Sequence, residues 1–254
     1  MRPHQFLRSL PFFFLTLIAF TVPSAAKTLG RDRADRAPDN SLSVKGSPGR
    51  PNYFLNVEYL TYDDALNEYE DRLDGLLPLE FTNQYDKKQP LGLRVGAMKK
   101  FGATETWEVG ASVGYIEGPT LNYTSDAIPG TFFHPFTISG KVQTRFIRMM
   151  LETTKEFRLT RRIALKLGGA VGGGYGKISW RETWSSAGIP LALGEADKDW
   201  YDLSWEASPS LVIQFKKIDV EMGYKWAHFP QFKRSDDFYD FKWNPSIFYL
   251  GIIF

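Results

Sequence analysis

Apolar and polar residues alternate along most of the chain after Asn52, in segments of about ten residues, the length of a strand that crosses a membrane. Successive side chains of a strand point to opposite faces, so this alternation predicts strands with one apolar and one polar face. Eight such segments are present. Their apolar faces lie within residues 53–59, 91–97, 107–115, 147–151, 165–175, 205–215, 220–226 and 248–254.

The polar face of each of the first seven segments carries at least one charged residue. Eight strands enclose an interior just wide enough for side chains to fill, and a charge buried there without a partner is strongly destabilised. The pattern therefore predicts a network of paired charges inside a barrel. Its members would be Glu58, Arg94, Glu108, Arg148, Glu152, Lys166, Glu206, Glu221 and Lys225.

The connections between segments alternate in length. Long links lie near 63–90, 117–141, 177–200 and 228–244, and short links lie near 100–106, 155–162 and 216–219. Short turns at one end and long loops at the other are typical of bacterial outer-membrane barrels, in which the long loops face outside. The predicted fold is therefore an all-β, eight-stranded, antiparallel up-and-down transmembrane β-barrel.

A soluble barrel of the lipocalin type is the alternative, and it would point its apolar residues inward. Aromatic residues decide between the two, because they mark both edges of the predicted outward band and fit a membrane–water interface. The predicted girdle comprises Trp107, Phe157 and Phe215 near the short turns, with Tyr115, Tyr175, Trp205 and Trp226 near the long loops.

The last segment ends the chain on an aromatic residue, with an alternating apolar face that nothing following it would cover. These residues are Phe248, Leu250, Ile252 and Phe254. The segment resembles the C-terminal strand of bacterial outer-membrane β-barrels of the OmpA, OmpX and OmpW class. That resemblance implies that the barrel assembly machinery reads the strand as a signal, and that outer-membrane lipid and lipopolysaccharide surround the barrel.

The N-terminus has the features of a secretory signal peptide. Arg2 and Arg8 precede an apolar run over 11–22 that is too short to span a bilayer, and Ser24 and Ala26 supply the small residues of a cleavage site. We expect a signal peptide over 1–26, a disordered periplasmic linker over 27–51 that is rich in charge, Pro and Gly, and the barrel over 52–254. The expected location is the outer membrane of a Gram-negative-type bacterium.

Composition narrows the function classes. Cleavage would remove 2 of the 31 basic residues and none of the 29 acidic ones, leaving no net charge and no electrostatic argument for nucleic acid. Cysteine is absent, so disulfides and thiolate metal sites are excluded. The histidines lack the spacing of a metal site, and we expect neither a metal nor a cofactor.

Two non-catalytic functions remain open from the sequence. The charged lumen would be either sealed by its ion pairs, giving a structural or surface-binding protein, or left with a narrow path through it. The long links also contain apolar clusters, within 76–79, 128–136 and 189–193. Such clusters form either a cap or a patch for a surface partner or a small apolar ligand, as is thought to occur in barrels that resemble OmpW.

One catalytic alternative rests on His228, at the outer end of the seventh segment. With Asn244 and Pro245 nearby, it faintly resembles the PagL-type lipid A deacylases, which carry their catalytic residues on the lipid-facing side. That family has the motif H-x-S, whereas this chain has Pro230 in the place of the nucleophile. Ser235 and the aspartates at 236, 237 and 240 follow in the loop, but a triad needs direct contacts. We therefore expect a non-catalytic protein.

Overall fold

The computed structural model describes residues 51–62, 65–75, 81–101, 106–233 and 240–254. Antiparallel strands form nearly all of this part of the chain, and one helix accompanies them. The elements are β1 Asn52–Leu60, α1 Asn67–Gly75, β2 Phe81–Lys88, β3 Leu91–Phe101, β4 Trp107–Ala127, β5 Phe136–Arg158, β6 Ile163–Ser186, β7 Ile189–Gln214, β8 Asp219–His228 and β9 Ser246–Ile253. The predicted signal peptide and nearly all of the predicted linker lie outside the described residues.

Eight of the nine strands close into a ring, as the alternation predicted. Each of β3 to β9 pairs with its neighbour in the chain, and β1 pairs with β3 on one side and β9 on the other. The register carries the apolar face from strand to strand: Val57 lies opposite both Leu93 and Leu250. The fold prediction of an eight-stranded up-and-down barrel is confirmed.

The ninth strand, β2, does not add a position to the ring, because it follows β3 along the same edge of β4. Both strands pair with β4, β3 up to Glu117 and β2 from Thr120 onward. A register shift separates those two halves of β4. The first long link, near 63–90, therefore contains a helix and a strand. Glu70 of α1 pairs with Lys87 of β2 at 2.7 Å, which ties the helix to this strand.

Strands β4 to β7 are far longer than a membrane requires. They contain 21, 23, 24 and 26 residues, whereas about 9 to 11 tilted residues span a bilayer. The links expected near 117–141 and 177–200 are therefore mostly strand, and that expectation was wrong. The β6–β7 link is a two-residue turn in which Ala187 and Gly188 both have positive φ, at 50° and 80°, as a type I′ hairpin requires.

We call these continuations the strand extension: β2 together with 120–127 of β4, 136–145 of β5, 177–186 of β6 and 189–199 of β7. Polar residues alternate there with buried ones such as Val142 and Ile178. The chain therefore keeps the two-residue period of a strand, although its outer face has changed from apolar to polar. Sequence reading took that loss of outer apolar residues as the end of the strands.

The interior of the barrel has two layers. Charged side chains fill the half towards the short turns, and apolar side chains fill the half towards the long links. Helix α1 adds Tyr69 and Leu73, which are four residues apart on one face of the helix, to the apolar layer. The lumen is therefore a packed core that consists of a charged layer and an apolar layer.

Candidate functional site

Arg94 is at the centre of the charged layer. Its Nη1 and Nη2 donate to the two carboxylate oxygens of Glu206 at 2.7 and 2.5 Å. Its Nε lies 3.1 Å from Glu58, and Nη1 also reaches Glu152 at 3.3 Å. The guanidinium is 1% exposed, so three carboxylates from three other strands converge on one fully buried cation. Arginine suits this position because its planar fork can donate to several carboxylates at once.

Two further cations complete the layer. Arg148 pairs with Glu206 at 2.5 Å, and Lys225 pairs with Glu58 at 2.5 Å. The three acids Glu58, Glu152 and Glu206 are therefore matched by Arg94, Arg148 and Lys225. Removing any one partner would leave an unbalanced charge in a buried site, which is strongly destabilising.

A second polar cluster lies closer to the short turns. Lys166 donates to Glu108 at 2.7 Å, and Thr154 donates to the same carboxylate at 3.0 Å. Glu221 accepts hydrogen bonds from Ser210 at 2.6 Å and Tyr249 at 2.8 Å. All nine residues of the predicted lumen network thus lie inside the barrel, arranged in these two neighbouring clusters.

A small cavity lies among the side chains of the two clusters. Its volume is about 40 Å³, which is space for about three water molecules. Small residues of β6 and β7 form part of its lining, namely Gly168, Gly169, Ala170, Ser208 and Ser210. The charged half of the lumen therefore has space for a few water molecules among its ion pairs.

Six aromatic residues form the centre of the apolar layer, and we call them the aromatic plug: Phe146, Trp200, Phe229, Phe232, Phe241 and Trp243. The ring of Phe146 packs 5.2 to 5.9 Å, centroid to centroid, from the rings of Trp200, Phe229, Phe241 and Trp243. Every ring strand except β3 contributes buried apolar residues around the plug. The aromatic plug therefore lies across the whole lumen.

Four members of the aromatic plug come from the link between β8 and β9, which folds back into the barrel. Phe229 donates its backbone N–H to the carbonyl of Trp243, and Phe232 and Phe241 exchange both backbone hydrogen bonds. Glycines make the space for this segment: a side chain at Gly174 would meet Pro230, and one at Gly176 would meet Trp200. Arg148 joins the two layers, because its guanidinium lies 4.0 Å from the ring centroid of Phe229.

Sequence reasoning missed the aromatic plug, although a signal for it exists. The link at 228–244 contains four phenylalanines, one tyrosine and one tryptophan, far more than a solvated loop carries. The cap considered from the apolar clusters at 128–136 and 189–193 is a different set of residues. Of those clusters, Phe132 is 89% and Leu193 is 80% exposed, and the segment 76–79 lies outside the described residues.

The predicted girdle residues lie on the outward face at both ends. Trp107, Phe157 and Phe215 are exposed near the short turns, and Tyr115, Trp205 and Trp226 are exposed towards the long links. Tyr175 is half-buried against Tyr201, with ring centroids 5.2 Å apart. The register aligns Tyr115, Ile147, Tyr175 and Tyr201 in one row across β4 to β7, and we call this the tyrosine row. Tyr201 was not anticipated from the sequence.

The last strand also shows the expected faces. Phe248, Leu250, Ile252 and Phe254 all point outward and are exposed. Tyr249, between them, is buried and donates to Glu221 inside the lumen. This strand contributes to both the lipid-facing band and the interior network.

His228 lies at the outer rim of the barrel and stacks on Trp205 with an interplanar angle of 10°. Its Nδ1 is 2.8 Å from the side-chain oxygen of Asn244 and 3.5 Å from Nε2 of Gln231. Both of these neighbours of the imidazole are side-chain amides. Ser235, Asp236 and Asp237 lie outside the described residues, and Asp240 donates its backbone N–H to Glu68.

Within the described ranges, no three His, Asp or Glu side chains are grouped closely enough to hold a metal ion. Among the same residues, no helix has the length and apolar character needed to cross a membrane.

The outward face decides the class of protein. Large apolar side chains are exposed around the ring, aromatic residues border them at both ends, and the charges are inside. Water would make such a surface unstable, whereas lipid covers it. The chain is a transmembrane β-barrel of the bacterial outer-membrane class.

No protein-family model matches the chain, and no curated protein is similar to it in sequence. Among solved structures it is similar to Neisserial surface protein A, with 6% identity, a TM-score of 0.43, and coverage of 80% of this chain and 95% of that one. OprG from Pseudomonas aeruginosa is 8% identical, with a TM-score of 0.41 and coverage of 81% and 95%. Ail of Yersinia pestis, in complex with the heparin analogue sucrose octasulfate, is 12% identical, with a TM-score of 0.33 and coverage of 80% and 96%.

Proposed function

We propose that this protein is a sealed, non-catalytic outer-membrane barrel that displays the strand extension at the cell surface as a binding surface. The observation that carries the proposal is the aromatic plug, which lies across the lumen above an ion-paired charged layer. Because the interior is filled at two levels, we expect this protein to act through its outer surface. The part of that outside furthest from the membrane is the strand extension.

Two features of the interior oppose a channel. Near the centre of the lumen, Arg94 lies 3.3 Å from Glu152 and Arg148 lies 2.5 Å from Glu206. A permeating ion would have to compete with these buried ion pairs. Beyond them, an ion would meet the rings of the aromatic plug, which offer no hydration. The cavity of about 40 Å³ is confined to the charged half.

The orientation follows the usual rule for such barrels, with short turns in the periplasm and long links outside. In this arrangement residues 27–51 form a periplasmic linker after cleavage of the signal peptide over 1–26. The assembly machinery would recognise the outward residues of the last strand. The strand extension would then project into the medium on the outer side.

The strand extension offers two kinds of surface. From Tyr201 back to Ile189, β7 rises by about 40 Å along the strand direction, at the usual rise per residue. Its outer face is polar, with acidic Glu195, Asp197 and Asp199, and a hydrogen bond from Lys177 lowers the pKa of Asp197. Its tip is apolar, with Ile189 and Leu193 exposed. A polar wall with an exposed apolar tip suits contact with another molecule.

Single-channel conductance of the refolded mature barrel in a planar bilayer tests the proposal. We expect no steady conductance from the wild type, because the aromatic plug and the ion pairs leave no water-filled bore. The double variant Phe229→Ala/Trp243→Ala should show step-like openings, since it removes two rings of the plug. Trp226→Ala, which removes a lipid-facing ring next to the same loop, is the matched control and should stay silent. Steady wild-type conductance that changes in Arg94→Ala would make the protein a pore.

A further inference from the structure

We propose that the short-turn end of the barrel binds the phosphate groups of anionic phospholipids in the inner leaflet of the outer membrane. Six cations on and beside the β5–β6 and β7–β8 turns carry the inference. We call them the turn cations: Lys155, Arg158, Arg161, Arg162, Lys216 and Lys217. This surface lies at the opposite end of the molecule from the strand extension, so the inference goes beyond the proposed function. It rests on the proposed orientation for the identity of the leaflet.

The two turns form one surface. The backbone N–H of Gln214, the last residue of β7, donates to the carbonyl of Arg162 at 2.7 Å, and β6 and β7 are paired up to this point. The turn before β6 therefore lies directly beside the place where β7 continues into Lys216 and Lys217. Clusters of about four to eight Lys or Arg beside a membrane span are typical of proteins that bind anionic lipid.

The residues opposite the turn cations are not acidic. Lys155 lies opposite Trp107 of β4 and Leu167 of β6, and Arg158 lies opposite Ala164. The other four turn cations are in the turns themselves and are exposed. Among the described residues, no carboxylate oxygen lies within 4.0 Å of any turn cation except Arg158.

Most carboxylates at this end belong to the lumen. Glu108 and Glu156 are buried and pair with lysines of the inward face. Nε of Arg158 is 3.6 Å from Glu156, but the arginine side chain is 65% exposed and remains accessible from outside. Asp219, at the start of β8, is half-buried. The surface therefore keeps an excess of positive charge that an anionic partner would balance.

Apolar side chains hold this surface at the membrane interface. Nζ of Lys155 lies 5.1 Å from the ring centroid of Trp107 and 5.2 Å from that of Phe157, within the range of attraction between a cation and a ring face. The ammonium group is therefore at the depth of the aromatic girdle, where the lipid headgroups begin. Four large apolar residues that adjoin turn cations in the chain are exposed: Phe157, Leu159, Phe215 and Ile218.

The depth of the turn cations also matches the headgroup layer. From Lys155 at the girdle, β5 continues for three residues to Arg158, which at the usual rise and tilt is about 7 Å further from the membrane centre. The headgroup layer is about 5 to 8 Å thick on each side of a bilayer. Lipid phosphates are thus within reach of these side chains, while acyl chains cover the neighbouring apolar residues. A soluble anion would account for the cations but not for the exposed apolar residues among them.

The test uses the full mature barrel refolded into phosphatidylcholine bilayers, with electron spin resonance of spin-labelled lipids as the measurement. The fraction of each labelled lipid that the barrel immobilises gives its association constant relative to phosphatidylcholine. We expect phosphatidylglycerol and cardiolipin to associate at least about fivefold more tightly than phosphatidylethanolamine, because each cation near an anionic lipid contributes on this scale. High salt should reduce this preference, since the turn cations are exposed.

A fourfold variant removes the charge of the turns without touching the lumen. It should lose most of the preference for anionic lipid and should still fold, because all four side chains are exposed. Circular dichroism checks the strand content. The variant is Arg161→Gln/Arg162→Gln/Lys216→Gln/Lys217→Gln.

The matched control removes four cations from the strand extension at the other end, and it should leave the lipid preference unchanged. It is Lys141→Gln/Arg145→Gln/Lys177→Gln/Arg181→Gln. An equal loss in this control would make net charge the cause and would overturn the proposal. So would equal association of anionic and zwitterionic lipids with the wild type, or binding of peptidoglycan fragments through the turn cations by a barrel that shows no lipid preference. Conductance is measured separately, so failure here would leave the sealed barrel unaffected.

Discussion

The two halves of the lumen are built on the same strands and are filled by opposite means. On β5, Arg148 and Phe146 are successive inward residues, yet one belongs to a network of ion pairs and the other to the centre of the aromatic plug. On β7, Glu206 and Trp200 show the same change. In the charged half, each side chain depends on a few specific partners, whereas in the aromatic half it depends on shape and volume. The two halves should therefore fail differently when a residue is changed.

The largest effect is expected from Arg94→Ala, because it leaves Glu58, Glu152 and Glu206 with two cations in place of three. Breaking a buried ion-pair network by removing one partner costs about 3 to 5 kcal/mol. Guanidinium unfolding of the refolded barrel in micelles measures the loss. The double variant Arg94→Met/Glu206→Gln restores the charge balance and should recover a large part of it. If the double variant were as unstable as the single one, charge balance would not govern this half.

Phe146→Ala tests the aromatic half and should lower the free energy of unfolding by about 3 kcal/mol. This is near the low end for a buried aromatic residue, because the link between β8 and β9 can partly collapse into the space left behind. The same unfolding experiment measures it. Ile147→Ala, on the opposite and lipid-facing side of β5, is the matched control and should cost clearly less. Adding Glu206→Gln to Phe146→Ala should not recover the lost stability. Recovery would show that the two layers are not independent.

Gly174→Val should have the smallest effect, about 1 to 2 kcal/mol, because it overpacks the point where Pro230 meets β6. We expect the substitution to displace the link between β8 and β9. Proteolysis within this link should then be faster, while the fraction of protein folded as a barrel stays the same. Gly173→Val is the control, since nothing lies within 4 Å of the side chain it would add. Equal proteolysis of the two variants would mean that close contact with Gly174 does not hold the link in the lumen.

Local pattern predicted the transmembrane part of this protein well. The inward and outward faces of β1, β3, β8 and β9 follow from alternation, because a strand with lipid on one side has to place its apolar residues there. The same reasoning placed the charged residues inside. It failed where lipid ends: at Glu117 and Lys177 the outer face becomes polar, so a strand in water was taken for a loop. It also failed between β8 and β9, where no regular period exists.

The amino-acid sequence by itself therefore determined the class of protein, the number of ring strands and the division of charged and apolar faces, because these depend only on the two-residue period and on the solvent at each face. Only the tertiary structure decided how the lumen is filled and what the strand extension displays. Arg94 meets Glu206 across 112 positions of the chain. Phe229 meets Phe146 because a loop folds back, and Lys141 faces Arg181 because of a particular register. Contacts of that kind depend on closure of the ring, and no local pattern encodes it.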